Sequence, residues 1–199
     1  PGVPPENRAV MAARAAGLEV VGSFEFAYRL CPAPIIAVTG TNGKGTTVRA
    51  LAGMLGAAGI AHLLAGNIGT PLEDEIVRAT PDSPAVVEIS SFQLETIVEF
   101  HPRVATVLNI APDHLDRHPN AATYAAAKAR IFENQEAEDF ALVVLDDRAA
   151  REVGERSPAR KLRISARDPE ADATVRAGML TVTLEGRTEV ICPVADVPV

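Results

Sequence analysis

The feature that most constrains this chain is an alternation. Short, nearly continuous apolar runs at residues 35–39, 61–65, 85–89, 104–109, 141–145 and 162–165 are separated by helix-length stretches at 44–58, 71–79, 92–100, 121–134 and 148–155. Runs this short that lack polar alternation suit strands buried on both faces. Parallel neighbours need a crossover of helix length, so the pattern predicts βαβ units and a three-layer α/β fold around a mostly parallel sheet. From about residue 172 the style changes. Residues 174–176, 179–184 and 188–192 are β-rich and are parted by Gly178 and by Glu185-Gly186-Arg187, which predicts a small antiparallel β segment at the C-terminal end. Before residue 34, Pro1, Pro4 and Pro5 read as a stiff linker, 6–16 and 25–30 as short helices, and 19–22 as a short strand. The expected organisation is therefore an opening segment, 1–33, followed by one domain, 34–199.

Composition narrows the function classes. With 19 basic against 26 acidic residues the net charge is −7, which argues against nucleic acid or an anionic membrane as the main partner. No apolar stretch approaches the ~20 residues of a membrane span, so membrane insertion is not expected. Cys31 and Cys192 are the only cysteines, which excludes a disulfide framework and suits a reducing, cytoplasmic setting. A chain that opens at Pro1 and stops at Val199 without a tail is expected to be a section of something longer, and a monomer.

The strongest chemical signal is Gly40-Thr41-Asn42-Gly43-Lys44-Gly45-Thr46-Thr47, placed after an apolar run and before a helical one. This is the context of a phosphate-binding loop (P-loop). Glycines let backbone N–H groups approach phosphate oxygens, the helix N-terminus adds partial positive charge, and Lys44 reaches the β- and γ-phosphates. Gly45 occupies the position next to the lysine, so Thr46 or Thr47 must supply the hydroxyl that such loops offer to Mg²⁺. Glu88 lies near the C-terminal end of another apolar run, at the sheet edge where open α/β folds bind ligands, and is placed to hold a metal that bridges phosphates. Asp113-His114-Leu115-Asp116-Arg117-His118 follows the next run. His114 and His118 are four residues apart, which raises a zinc site, although Pro119 interrupts any helix that would present both on one face. Gly66-Asn67-Ile68-Gly69 ends a further run, where close backbone approach to a ligand and a plain turn are equally compatible with the residues. Lys128, on an Ala-rich helix, reads by itself as a solvated lysine.

Taken in this order, the motifs resemble the Mur ligase family, which adds amino acids to the peptidoglycan precursor at the expense of ATP. The resemblance covers the central ATPase domain and nearly the whole chain. Gly40-Thr41-Asn42-Gly43-Lys44 is shared across the superfamily, folylpolyglutamate synthetase included, and Gly45 is closer to the folate-enzyme pattern. Glu88-Ile89-Ser90-Ser91-Phe92-Gln93-Leu94, together with Asp113-His114-Leu115-Asp116-Arg117 and the Lys128 helix, is similar to the members that add D-glutamate to UDP-N-acetylmuramoyl-L-alanine. The resemblance implies an acyl-phosphate mechanism with ATP and Mg²⁺. Thr46 and Glu88 would hold one metal ion, and His114 with Lys128, as a carbamate, a second. Lys44, His114 and Lys128 would act in catalysis, and Asn67, Ser90 and Gln93 would contact the muramoyl-alanine substrate or its metal. Three rivals remain at this point: a folylpolyglutamate synthetase-like ligase, a P-loop module that binds nucleotide without ligase chemistry, and a zinc-binding module built on His114 and His118.

Overall fold

The computed structural model describes residues 3, 6–67, 69–113, 118 and 120–197. Two helices, α1 (Arg8–Ala15) and α2 (Ser23–Leu30), precede the regular alternation β1 (Ile35–Thr39), α3 (Lys44–Ala57), β2 (Leu63–Gly66), α4 (Leu72–Glu75), β3 (Ala85–Glu88), α5 (Ser91–Leu94), β4 (Val104–Val107), α6 (Ala121–Ala129), β5 (Phe140–Val144), α7 (Arg148–Gly154) and β6 (Arg160–Ser165). Then come β7 (Ala173–Arg176), β8 (Met179–Leu184) and β9 (Arg187–Pro193). All strands join one 9-stranded sheet in the order β2-β3-β1-β4-β5-β6-β7-β8-β9. From β2 to β7 neighbouring strands are parallel, and β8 and β9 run antiparallel to the strand before them. The β-rich tail thus extends the main sheet, because β7 pairs in parallel with β6.

Burial explains the apolar runs. Every residue of β3 is buried, as are Ala37, Val38 and Thr39 of β1, Ala105 to Val107 of β4, and Ala141 and Val143 of β5. On one face Ala37, Val87, Ala105, Val107 and Ala141 pack with Phe24 and Ala27 of α2, Leu94 of α5 and Val153 of α7. On the other, Val38 and Val86 meet Val48, Leu51 and Leu55 of α3. Adjacent strand residues point to opposite faces, so a strand covered on both sides must be apolar throughout. Helix α2, from the opening segment, contributes Phe24 and Ala27 to the same core as the sheet. Among the described residues no helix is long and apolar enough to cross a membrane.

Several expected elements are shorter. The stretch 92–100 holds only the four-residue helix α5. Side chains from elsewhere take over its backbone groups. The Glu25 carboxylate accepts the N–H groups of Val98 (3.0 Å), Glu99 (2.8 Å) and Phe100 (3.2 Å), while the Arg130 guanidinium donates to the carbonyls of Leu94 (2.9 Å), Glu95 (2.7 Å) and Ile97 (2.8 Å). Helices α4 and α6 tighten into 3₁₀ turns at Ile76–Arg78 and Arg130–Phe132. Residues 19–22 form no strand; Glu19 is instead held by Arg29 at 2.7 and 2.9 Å.

Candidate active site

Strand β1 lies between β3 and β4, and the chain crosses from one side of it to the other between those two strands. Such a switch of direction leaves a crevice at the C-terminal strand ends, where open α/β sheets bind ligands. The phosphate loop sits there. Gly43 is left-handed (φ 82°) and opens α3 with no side-chain cap, so the first-turn N–H groups of this 14-residue helix keep no side-chain acceptor among the described residues. The Lys44 ammonium curls back to donate to the carbonyls of Gly40 (2.9 Å) and Thr41 (2.8 Å). Of the two candidate hydroxyls, that of Thr47 donates to the Gly43 carbonyl at 3.0 Å. Thr46 is exposed, and its hydroxyl has no partner among the described residues.

Glu88 stands one strand away, paired in register with Val38 on β1 and Gly66 on β2. It is 0% exposed, yet only one of its carboxylate oxygens is engaged: Oε1 accepts from Asn67 Nδ2 at 3.3 Å, whereas Oε2 has no hydrogen-bond partner among the described residues. A buried, unpaired carboxylate oxygen is costly, and folded proteins tolerate it where a ligand supplies the missing interaction. A hard cation such as Mg²⁺ has the chemistry this oxygen lacks. Gly66 makes the approach possible, because a Cβ there would lie 2.0 Å from the Glu88 carbonyl oxygen.

Lys128 reaches the same place from α6. It is 1% exposed, donates to the Gly40 carbonyl at 2.8 Å, and lies 4.5 Å from the centroid of the Tyr124 ring. Burial and then the nearby Lys44 charge bring its pKa down to about 8, against the opposing pull of Asp113 and Glu88. The Gly40 carbonyl is thus touched by two ammonium groups, Lys44 and Lys128.

Residues 38–196 match the Mur ligase middle domain. The chain belongs to the Mur ligase family. It is 45% identical over 193 residues to the UDP-N-acetylmuramoylalanine--D-glutamate ligase of Pelotomaculum thermopropionicum, a match that covers 96% of this chain and 42% of that one. It is 50% identical over 147 residues to the enzyme of the same name from Trichlorobacter lovleyi, which covers 74% of this chain and 33% of that one. In fold it resembles the MurF ligase of Thermotoga maritima in complex with ADP, with a TM-score of 0.61, 16% identity, and coverage of 85% of this chain and 43% of that one. The chain therefore spans about two fifths of the length of the relatives it matches.

The other expected site residues of this Mur ligase domain divide into two groups. Ser90 and Gln93 hold one another in a capping box at the start of α5: Gln93 N donates to Ser90 Oγ at 3.3 Å, and Ser90 N and Oγ donate to Gln93 Oε1 at 3.0 and 2.9 Å. Asn67 is brought to Glu88, as described. His114 lies outside the described residues, with 115–117. His118 is buried at 3% exposure, its Nε2 3.2 Å from Ser91 Oγ and its ring stacked on Phe92 at 5.8 Å. Among the described residues no three His, Cys, Asp or Glu side chains gather as a metal site. Two residues with no role assigned from the motifs alone also belong here. Tyr124 packs its ring against Lys128 and brings its hydroxyl within 3.5 Å of that of Thr41, and Asn109 reaches the phosphate loop from the end of β4. The available signals were the i, i+4 spacing of Tyr124 from Lys128 and the polar residue closing an apolar run at Asn109.

Proposed function

We propose that this chain is the ATP-binding domain of a ligase that uses ATP and Mg²⁺ to add D-glutamate to UDP-N-acetylmuramoyl-L-alanine. The observation that carries the reading is the fully buried Glu88 Oε2, unpaired among the described residues, beside an uncapped helix N-terminus and the Lys44 ammonium, a combination that answers to a metal-bound polyphosphate. The choice of substrates rests on relatives of that name at 45% and 50% identity. Free Cys31 and Cys192 agree with a cytoplasmic setting.

In this reaction a substrate carboxylate oxygen attacks the γ-phosphorus of ATP. The bond to the β–γ bridging oxygen breaks, and ADP leaves from an acyl phosphate. The D-glutamate amine then attacks the acyl carbon, phosphate departs, and the amine loses a proton to give the amide. Two anions must approach in the first step, so the barrier is chiefly electrostatic. Lys44 and the open N–H groups of α3 would draw charge off the phosphates, and Thr46 and Glu88 would hold one Mg²⁺. His114 and Lys128 would hold a second; bound there, the metal ions screen phosphate charge. For Lys128 to serve, its amine nitrogen must add to CO₂ and lose a proton, which leaves an anionic carbamate in place of a cation. That step needs the neutral amine, and a pKa of about 8 leaves roughly a tenth of Lys128 neutral at pH 7. Asn67, Ser90 and Gln93 would contact the muramoyl-alanine substrate or its metal.

The test is phosphate release by the full-length ligase. It should require both D-glutamate and UDP-N-acetylmuramoyl-L-alanine, and Lys128→Ala should lose most of it, with partial recovery in added short carboxylic acids. Release that instead required a folate and L-glutamate would replace this reading with the folylpolyglutamate synthetase-like one.

A further inference from the structure

The loop that meets the phosphates is not held by its own residues. Asn109 lies two residues beyond the end of β4, on the strand next to β1. Its side-chain Oδ1 accepts from Thr41 N at 3.1 Å and from Asn42 N at 2.8 Å, and its Nδ2 donates to the Asn42 carbonyl at 3.0 Å. Its backbone carbonyl also accepts from Thr41 N at 3.0 Å. Two residues on, Ala111 N donates to Thr41 Oγ1 at 3.0 Å, and that hydroxyl donates to the Ala111 carbonyl at 3.2 Å. The first half of the phosphate loop and the segment after β4 are therefore one hydrogen-bonded unit.

We propose that Asn109 is a positioning residue of the phosphate loop: its carboxamide occupies the N–H groups of Thr41 and Asn42 and leaves those from Gly43 into α3 to meet the ligand's phosphates. This rests on the phosphate-loop reading given above. A carboxamide supplies two lone pairs on one oxygen and two N–H donors on one nitrogen, and this site uses both lone pairs and one donor. Aspartate could accept twice but could not donate to the Asn42 carbonyl, and it would set a negative charge beside phosphate. Alanine would keep the backbone bond from Thr41 N but leave the Asn42 N–H and carbonyl to water, in a loop whose ordering would then have to accompany binding and weaken it. Asn109 touches no phosphate in this arrangement; it acts through the loop.

The test uses the ¹⁵N-labelled 199-residue chain, titrated with Mg-ADP by calorimetry and followed by amide NMR. In the wild type the Thr41 and Asn42 amide protons should exchange slowly before any nucleotide is added, and Mg-ADP should shift the Gly43 to Thr46 amides most. Asn109→Ala should speed exchange at Asn42, whose N–H loses its acceptor, more than at Thr41, which keeps the backbone carbonyl, and lower Mg-ADP affinity at least tenfold, with Asn109→Asp weaker still. Thr106→Val is the control. It removes a 3.0 Å hydrogen bond to the Leu142 carbonyl from the same strand, and it should lower the thermal midpoint yet keep affinity within twofold. Affinity in Asn109→Ala no lower than in Thr106→Val would overturn the proposal while leaving the phosphate loop intact. Should the alanine variant fail to fold, rapid exchange of the wild-type Thr41 and Asn42 amides would overturn it equally. If the wild type binds no Mg-ADP, the phosphate-loop reading falls and this proposal falls with it.

Discussion

Lys128 has an environment that its neighbours in sequence do not announce. On an Ala-rich helix a lysine reads as solvated, because the residues that bury it are Tyr124 one turn away and the Gly40 carbonyl, which is 88 positions distant. Its lowered pKa has a consequence for stability. Between about 8 and the model-peptide value of 10.5 the unfolded chain binds more protons at this lysine than the folded one, so stability rises with pH across that window. Below it, the folded state carries a penalty of about 3 kcal/mol for the buried charge. Lys128→Met should remove this dependence. Urea denaturation at pH 7 and pH 9.5 should show the wild type gaining about 2 kcal/mol relative to the variant as the pH rises. Equal gains in both proteins would show that Lys128 is not held in the way described. Glu88 was more legible, since a carboxylate at the end of an apolar run beside a glycine-rich loop has few structural uses. What the residues alone left open was the hydroxyl after Lys44. In the structure the two threonines differ in surroundings: Thr47 donates to the Gly43 carbonyl, and Thr46 is exposed.

Among the elements, the long strands and α3 follow from local pattern, whereas the segment after β3 does not. Its apolar spacing fits a helix over 92–100, and α5 stops at Leu94. Glu25 and Arg130, two charged side chains far away in sequence, bind the backbone groups that a continued helix would have paired internally. No periodicity in 92–100 carries that information. Glu25 is 0% exposed and caps three N–H groups, so Glu25→Ala removes the acceptor of all three, that of buried Phe100 among them. The expected cost is on the order of 3 kcal/mol, read by chemical denaturation with an unchanged denaturant slope. A loss below about 1 kcal/mol would mean that those amides find other partners. The same device positions chemistry, since Arg130 ties the end of α5 to the helix that carries Lys128.

At the scale of the molecule, the alternation of buried runs and helices revealed the α/β architecture but not the strand order. That β3 slots between β2 and β1, and that the tail joins the main sheet through a parallel β6–β7 pair, depend on contacts between distant segments. Because β7 to β9 continue the sheet and Phe24 of α2 lies in its core, the chain should unfold in one calorimetric transition. A separate, earlier melting of the tail would contradict the single-sheet description. The same strand order brings the phosphate loop, Glu88 and the segment after β4 to one edge, and the functional account depends on that convergence. Its most direct test is calorimetric titration of the chain with Mg-ATP beside the Lys44→Ala variant. Saturable binding in the wild type, weakened at least tenfold in the variant, is the predicted result; equal affinity in the two proteins would contradict it.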